Sequence, residues 1–400
     1  MKILASAVAA TMLLAATPTP EPTPGQEPPD ETTTREHAPV TDDCPNAETP
    51  PEPKTTSEAE VAPPDPLPTN STVPCGVIAP AGFEVPAEQT AAAWMVFDID
   101  SGEIIAAKDP HGRYRPASVI KVLLALVALR DLELSEEIMI PADWSGVEGS
   151  AVGVGPGGTY TVEQLLLGLL LASGNDAAKV LADQLGGDEH TLAEVNALAE
   201  EIGTEDTRVV SYSGLDGAGM STSAADLALM YRYAWGNEDF TRMVDTEYID
   251  FPGYGDREGY QVWNDNALFM NDPDGIGGKT GYTDDANHTF VGAMDRDGRR
   301  LAAVLLDTTI DKGRPWEQAQ RFLNAAYAVP VGSGVGSLAV DSDEPEEAGA
   351  DPAPDVEITE PPRAEDAASG ETGSWIFGGI AAAVLVLFGL ACIPLLRRRK

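Results

Sequence analysis

Two residues with catalytic potential lie three positions apart in an otherwise apolar segment. Ser118 and Lys121 are separated by a valine and an isoleucine, and positions i and i+3 share one face of a helix. A serine hydroxyl is a weak nucleophile until a base takes its proton. A lysine amine can be that base where burial or a nearby positive charge lowers its pKa. The spacing indicates a serine nucleophile activated by lysine, although a surface lysine on an amphipathic helix has the same spacing.

Two further polar clusters occur later in the chain. Ser173 and Asn175 flank a glycine after an apolar helical pattern, where the first could relay a proton and the second could bind a substrate amide. Alternatively, these residues have no catalytic role, because serine, glycine and asparagine are common in loops and at helix N-caps. Lys279 and Thr280 could hold an anionic group, and Gly281 would let a substrate backbone approach a strand closely. Alternatively, Lys279 is an exposed lysine in a turn.

Other catalytic classes receive little support from the sequence. None of the four histidines has a metal-binding spacing to another, and no G-x-S-x-G nucleophile elbow occurs. A Ser-His-Asp hydrolase is therefore disfavoured, and no metal or organic cofactor is implied.

The elements that must position these residues indicate an α/β fold. Short β-compatible runs at 92–99 and 103–108 form one hairpin, and runs at 288–295 and 300–306 form another. Because the strands are hairpin-linked, we predict an antiparallel sheet flanked by helices, with an inserted all-helical subdomain. Helical patterns occupy 118–132, 161–171, 176–185, 191–202, 223–235 and 314–328.

Composition separates this central region from two acidic segments. The formal net charge of −40 argues against nucleic acid as a partner. Residues 17–70 hold 15 of the 32 prolines and 12 acidic residues against two basic ones. Such segments bury too little apolar surface to offset the entropy of ordering. We therefore predict a disordered segment over 17–74, a catalytic domain over 75–330 and an acidic linker over 331–373.

Both ends of the sequence indicate membrane targeting. Residues 1–16 combine a lysine with an apolar run too short to span a bilayer, as in a secretory signal peptide. Residues 374–396 carry no charge and are long enough to span, and the basic residues 397–400 predict a cytoplasmic tail. We expect a single-pass protein with its catalytic domain on the outer face of the cytoplasmic membrane. A cell-wall sorting signal is the alternative for the C-terminal segment.

The three cysteines divide in the same way. Cys44 and Cys75 lie on the exported side, where a disulfide between them would staple the N-terminal segment to the domain. Two free thiols are the less favoured alternative. Cys392 lies within the predicted membrane helix.

The order and separation of these motifs resemble those of the serine penicillin-recognising enzymes. The closer resemblance, over roughly residues 85–330, is to the low-molecular-mass D-alanyl-D-alanine carboxypeptidases, of the peptidase S11 type. The chain departs from that family at Gly277 and Gly278, where a bulkier residue is often found, and at Asn287, where glycine is frequent. Supporting motifs are Tyr114-Arg115-Pro116-Ala117 before Ser118, Ser213-Gly214-Leu215-Asp216, and Asn264-Asp265-Asn266.

The resemblance implies roles for individual residues. Ser118 would form an acyl-enzyme, with Lys121 as its base and Ser173 as a proton relay. Backbone N–H groups of Ser118 and Tyr282 would form the oxyanion hole. Lys279 would help to hold the substrate.

The same resemblance implies a substrate with a free carboxylate, which Lys279, Thr280 and Arg314 would bind. That substrate is a peptidoglycan stem peptide ending in D-Ala-D-Ala, from which the terminal D-alanine is removed. β-Lactams would acylate the serine as covalent inhibitors.

Three other functions use related machinery. A DD-endopeptidase would use the same residues on a bulkier, cross-linked peptide. A class A-like β-lactamase would need a Glu-x-x-Leu-Asn box, and the run that begins at Glu189 has Ala193 in place of the asparagine. A membrane-bound β-lactam receptor is disfavoured because about four residues follow Leu396.

Overall fold

A central antiparallel sheet organises the protein. The computed structural model describes residues 33–338, except residues 60, 70 and 71. Its strands are β1 (Val77–Ile78), β2 (Ala93–Asp98), β3 (Glu103–Lys108), β4 (Glu137–Met139), β5 (Thr159–Thr161), β6 (Tyr248–Phe251), β7 (Tyr260–Trp263), β8 (Gly275–Thr283), β9 (Asn287–Arg296), β10 (Arg299–Thr308) and β11 (Gly336–Ser337).

Seven of these strands form the central sheet, and every pairing in it is antiparallel. The strand order is β1-β3-β2-β10-β9-β8, and β11 pairs with β3 as well. Strands β4 and β5, and β6 and β7, form two separate hairpins. The predicted α/β fold, an antiparallel sheet flanked by helices, is confirmed, but the inserted region predicted to be all-helical also carries these two short strand pairs.

The helices follow the predicted order, with two short additions. They are α1 (Lys121–Asp131), α2 (Val162–Leu171), α3 (Asn175–Gln184), α4 (Asp188–Ile202), α5 (Ala224–Trp235), α6 (Glu238–Val244), α7 (Ala267–Asn271) and α8 (Pro315–Tyr327). Helix α2 begins where predicted because Thr161 and Gln164 form a reciprocal capping box. The helices α6 and α7, and the hairpins β4–β5 and β6–β7, were not predicted.

The sheet carries a hydrophobic core on each face. In β2, Trp94 and Val96 belong to the core beneath α8, whereas Ala93, Met95 and Phe97 belong to the larger core shared with the helical subdomain. This alternation is the period of two expected of a strand. Each large apolar side chain buried in this way stabilises the fold by about 1.5–3 kcal/mol. The strands that carry the site are therefore fixed from both sides.

The N-terminal segment differs from the prediction of disorder over 17–74. Its residues 33–59, called the N-terminal strap below, lie against the domain, and Cys44 forms the predicted disulfide with Cys75. Composition predicted too little apolar burial, but the strap is held by ion pairs and hydrogen bonds instead, among them Arg35 with Asp307 and Glu58 with Arg115. The earlier part of that segment lies outside the described residues.

The C-terminal boundary of the domain also lies later than predicted. Residues 331–338 were assigned to an acidic linker, yet β11 pairs with β3 and Leu338 is buried. In the range 33–338, no helix is long and apolar enough to cross a membrane. The predicted signal peptide (1–16), the rest of the linker, the membrane helix (374–396) and the basic tail (397–400) lie outside the described residues.

Candidate active site

The predicted pairing of Ser118 and Lys121 is present. Ser118 lies in a 3₁₀ turn (Ala117–Ile120), and Lys121 is the first residue of α1. The Lys121 Nζ donates a hydrogen bond to the Ser118 Oγ at 2.8 Å. Side chains at i and i+3 eclipse one another in a 3₁₀ turn, so this geometry aligns the two groups more closely than an α-helix would.

The turn that carries Ser118 is strained and held from several sides. Ala117 has φ +48°, a left-handed conformation that costs a non-glycine residue about 1–3 kcal/mol. The Thr289 hydroxyl donates to the Pro116 carbonyl at 2.7 Å. Gly214, at φ +83°, packs so closely that a Cβ there would lie 2.1 Å from the Ala117 oxygen. These contacts fix the direction of the serine side chain.

Lys121 occupies an environment that favours its neutral form. Its side chain is fully buried, and its Nζ donates to the Ser213 carbonyl at 2.5 Å as well as to Ser118. Burial lowers the pKa of Lys121 well below its usual value, and the charge of Lys279 lowers it further, with Asp265 in partial opposition. A neutral amine beside a serine hydroxyl can act as a general base.

Lys279 and Thr280 lie on β8 and share a carboxylate partner. Lys279 is buried, with its Nζ 3.1 Å from the Thr280 carbonyl and 3.7 Å from Asp265 Oδ2. Thr280 Oγ1 donates to the same carboxylate oxygen at 2.8 Å. Burial lowers the pKa of Lys279, and Asp265 opposes that shift. The pair presents an amine and a hydroxyl side by side, as the binding of an anion requires.

Gly281 brings β8 against the nucleophile turn. A Cβ at this position would lie 2.9 Å from the Ser118 nitrogen and 2.3 Å from Thr289 Oγ1, so only glycine allows the approach. Tyr282 follows and pairs with His288 of β9, while its ring packs against His288 with centroids 4.7 Å apart. Its hydroxyl donates to Asp284 at 2.9 Å. The backbone of β8 at this point therefore faces the same space as Ser118.

The two glycines that depart from the family pattern form a β-bulge. Gly277 (φ +22°) and Gly278 (φ +135°) both have positive φ, and the pairing with β9 shifts register between Ile276 and Gly278. A Cβ at position 278 would lie 2.2 Å from the Val291 oxygen. Larger residues are excluded at this bulge, which re-aims the strand just before Lys279.

Ser173, in the turn between α2 and α3, and Asn175, the first residue of α3, have unused hydrogen-bonding capacity. Ser173 has φ +59° and is buried, and its hydroxyl has no hydrogen-bond partner among the described residues. Asn175 donates from Nδ2 to the Glu148 carbonyl at 2.8 Å, and within the described chain its buried Oδ1 also lacks a partner. Buried polar groups of this kind mark a place where a ligand or water supplies the missing partner.

A backbone contact connects this turn to β8. The Asp265 N–H donates to the Leu171 carbonyl, two residues before Ser173, at 2.9 Å. The Asp265 carboxylate in turn accepts from Thr280. Asp265 thus joins the end of α2, just before Ser173, to the Lys279–Thr280 motif.

Arg314 is placed differently from the other predicted site residues. It is an exposed N-cap of α8, and its backbone N–H donates to Glu317 at 2.7 Å. Arg314 follows β10. Strands β10 and β8 run in the same direction, because both are antiparallel to β9, so Arg314 lies towards the end of the sheet at which β8 also ends. Among the described residues, no hydrogen bond or ion pair joins it to Ser118 or Lys279.

Two participants were not assigned a role from the sequence. The Ser213 carbonyl accepts from Lys121, and Asp265 is the partner of Thr280 and Lys279. Both lie in motifs that supported the resemblance. A backbone carbonyl leaves no side-chain signature in a sequence, whereas an aspartate close to a buried lysine could have been proposed as its counter-charge.

Comparisons with known proteins place the chain in one family. A family model described as D-alanyl-D-alanine carboxypeptidase, peptidase S11, matches residues 81–309. The chain is 41% identical over 265 residues to the Mycobacterium tuberculosis protein named D-alanyl-D-alanine carboxypeptidase DacB2, covering 65% of this chain and 90% of that protein. It is 27% identical to a Bacillus subtilis D-alanyl-D-alanine carboxypeptidase, DacF, of which it covers 61%.

Solved structures give the same result. A crystal structure of a D-alanyl-D-alanine carboxypeptidase from Mycobacterium tuberculosis is 40% identical, with a TM-score of 0.61, over 65% of this chain and 99% of that one. The Streptomyces K15 DD-transpeptidase is 25% identical, with a TM-score of 0.55, over 60% of this chain and 97% of that one. The chain belongs to the peptidase S11 family of D-alanyl-D-alanine carboxypeptidases.

Proposed function

We propose that this protein is a serine DD-carboxypeptidase that cleaves the terminal D-alanine from peptidoglycan stem peptides through an acyl-enzyme on Ser118. The observation that carries the proposal is the 2.8 Å contact between the Ser118 Oγ and the Nζ of a fully buried Lys121. Ser118 Oγ attacks the carbonyl carbon between the two D-alanines, and its proton passes to the neutral Lys121 amine. The negative charge that develops on the carbonyl oxygen is stabilised by the backbone N–H groups of Ser118 and Tyr282.

Collapse of the tetrahedral intermediate breaks the peptide bond. The leaving D-alanine nitrogen takes a proton from the Lys121 ammonium through the Ser173 hydroxyl, which has no other partner among the described residues. A water molecule then attacks the ester, loses its proton to Lys121, and Ser118 recovers a proton as the shortened peptide leaves. Covalent catalysis of this type divides one difficult step into two easier ones.

The substrate is held by its carboxylate and by its backbone. Lys279 and Thr280 bind the C-terminal carboxylate through the amine and hydroxyl that they present together. Strand β8 is the last strand in the order of the sheet, so a peptide can add beside it, and Gly281 permits close approach. Asn175 binds the peptide amide, and Arg314 contributes to the carboxylate site when its exposed side chain turns towards it.

Hydrolysis of D-Ala-D-Ala peptides is favoured over β-lactam turnover. Glu189, which begins the incomplete match to the β-lactamase Glu-x-x-Leu-Asn box, is exposed in the first turn of α4. A β-lactam therefore acylates Ser118 and is released slowly. A DD-endopeptidase activity on cross-linked peptides would use the same groups.

The proposal includes export and attachment to the membrane. The apolar segments 1–16 and 374–396 support a cleaved signal peptide and a single C-terminal anchor, and the basic residues 397–400 support a cytoplasmic tail. The disulfide of Cys44 with Cys75 is consistent with an oxidising compartment. Protease treatment of intact cells would test this placement, since the catalytic domain should be cleaved from outside.

The activity is tested with a short peptide ending in D-Ala-D-Ala and a fluorescent penicillin. The wild-type protein should release D-alanine and form a covalent adduct, and Ser118→Ala should do neither while retaining its unfolding temperature. Release of D-alanine by Ser118→Ala at the wild-type rate would contradict the mechanism.

A further inference from the structure

Asp285 is a buried carboxylate whose described hydrogen-bond donors all come from the N-terminal strap. Its Oδ1 accepts from the backbone N–H groups of Lys54 at 2.6 Å and Thr55 at 2.9 Å. Its Oδ2 accepts from the hydroxyls of Thr55 at 2.7 Å and Ser57 at 2.6 Å. Burial alone would raise the pKa of Asp285, but these donors outweigh burial and the pKa is lowered. A buried carboxylate without such donors would be strongly unfavourable, so the turn and the strap hold each other in place.

The same strap also holds the site ends of β9 and β10. Lys54 Nζ donates to Asn287 Oδ1 at 2.6 Å, and Arg35 forms an ion pair with Asp307 at 2.8 Å. The Asn287 side chain donates to Asp307 in turn. Asn287 has φ +55°, a left-handed conformation that favours glycine or asparagine, which explains why glycine is frequent at this position in the family. In this protein the Asn287 amide also links β9 to the strap.

A second set of contacts holds the segment that leads to the nucleophile. Arg115 forms an ion pair with Glu58 at 2.6 Å and donates from Nη1 to the Pro51 carbonyl, also at 2.6 Å. The Arg115 side chain is only 3% exposed, so this pair is shielded from solvent. Arg115 precedes Ser118 by three residues, and between them lies Ala117, which has the strained left-handed conformation.

The two sets of contacts hold the segments that carry Ser118 and Tyr282. Asp285 lies three residues after Tyr282, in the turn between β8 and β9, and Arg115 lies three residues before Ser118. Those are the residues whose backbone N–H groups face the reacting carbonyl oxygen in the proposed mechanism. Effects of misplaced groups on catalysis are large, because oxyanion donors stabilise the transition state only at the correct position.

We propose that the N-terminal strap is a positioning element that fixes the separation between the Ser118 and Tyr282 backbone N–H groups. The inference rests on the proposed oxyanion role of those two groups. The strap precedes residues 81–309, so the family match does not extend to it. The strap touches no reacting atom and acts through the two segments that it holds.

The test removes two hydroxyl donors without removing the strap. In Thr55→Val/Ser57→Ala, both hydroxyls that donate to Asp285 Oδ2 are lost. Thr56→Val is the matched control, because Thr56 is exposed and its hydroxyl forms no hydrogen bond with the described residues. The kcat and KM for D-alanine release are measured per active serine, titrated with fluorescent penicillin, so that unfolded protein does not contribute.

We expect the double variant to lose at least threefold in kcat, with KM changed less than twofold, because both acylation and deacylation pass through an oxyanion. Thr56→Val should match the wild type, and Thr55→Ser/Ser57→Thr, which keeps both hydroxyls, should restore kcat. A fall in kcat of less than threefold, or a change in KM alone, would overturn the inference. If the double variant does not fold, Thr55→Val alone is judged by the same criterion.

Ser118→Ala separates this inference from the proposed function. D-Alanine release by Ser118→Ala would overturn the function itself. An inactive Ser118→Ala together with a fully active double variant would overturn only the role of the strap.

Discussion

Lys121 and Lys279 are both buried in one site, and the positive charge of Lys279 helps to lower the pKa of Lys121. Two buried amines whose charges interact cannot both be protonated without cost, because like charges disfavour one another in a medium of low dielectric. Asp265 pairs with Lys279 and stabilises the charge there, which leaves Lys121 as the neutral member. One lysine is thus arranged to hold charge and the other to exchange a proton.

This arrangement predicts a shift in the pH dependence of Lys279→Gln. In the proposed mechanism acylation requires neutral Lys121, so its rate should rise as the pH increases through the pKa of Lys121. Removing the Lys279 charge raises that pKa, and the rising limb should move to higher pH. Acylation by fluorescent penicillin, measured across pH 5–9, reports the midpoint.

The control for that experiment is Lys179→Gln, which removes an equal charge from a surface ion pair with Asp183. Its midpoint should remain at the wild-type value. An unchanged midpoint in Lys279→Gln would show that the two amines are not coupled.

Gly281→Ala should abolish most of the activity while leaving the domain folded. The new methyl group would lie 2.9 Å from the Ser118 nitrogen and 2.3 Å from Thr289 Oγ1. Displacing an oxyanion donor costs about 10²–10³ in kcat. Gly336→Ala is the matched control, since its Cβ would have no neighbour closer than 3.5 Å. Wild-type turnover in Gly281→Ala would show that β8 does not approach Ser118 in the working enzyme.

Asp245 predicts a pH-dependent stability. Burial raises its pKa to about 6, against opposition from the Gly277 N–H and Arg300, and its Oδ1 has no partner among the described residues. Because the folded pKa exceeds the unfolded value of 3.8, the folded state binds more protons, and stability increases as the pH falls from about 6 towards 4.

Asp245→Asn should therefore be more stable than the wild type at pH 7, by about 1–2 kcal/mol after allowance for partial exposure. The difference should shrink as the pH approaches 4. Urea unfolding at pH 4, 5, 6 and 7 measures it. A constant difference across that range would argue against the raised pKa.

Loss of the disulfide should destabilise the domain. The bond joins residues separated by 31 positions, and closing a loop of this size restricts the unfolded chain by about 3–4 kcal/mol. Cys44→Ser/Cys75→Ser should show a correspondingly lower free energy of unfolding in urea. Treating the wild type with a reductant should reproduce the change, and the double variant should then be insensitive to the reductant. Equal stability of variant and wild type would contradict the prediction.

The sequence was informative where chemistry follows local periodicity. The pairing of Ser118 with Lys121 needs only a spacing of three residues, and the strands and longer helices were indicated by their apolar patterns. The approach of Lys279 to that pair depends on tertiary structure, so only the family resemblance indicated it. The hairpins β4–β5 and β6–β7 escaped notice because strands of three or four residues contain too few repeats.

The strap illustrates the opposite error. Its proline and acid content predicted disorder, since that argument counts apolar burial alone. The segment is ordered by polar partners on the domain, such as Asp285 and Arg115, and these partners cannot be recognised without the fold. For the same reason Asp285 was not predicted to have a role, although it follows the Lys279-Thr280-Gly281 motif closely in the sequence.

The position of β8 at the end of the strand order has a consequence for aggregation with other chains. An edge strand can recruit any extended polypeptide, including a misfolded neighbour. Four of the nine residues of β8 are glycine, a poor strand former, and its bulge interrupts the regular ladder. The strand is thus a weak template for the addition of unrelated strands. It can still pair transiently with a peptide whose terminal carboxylate binds Lys279.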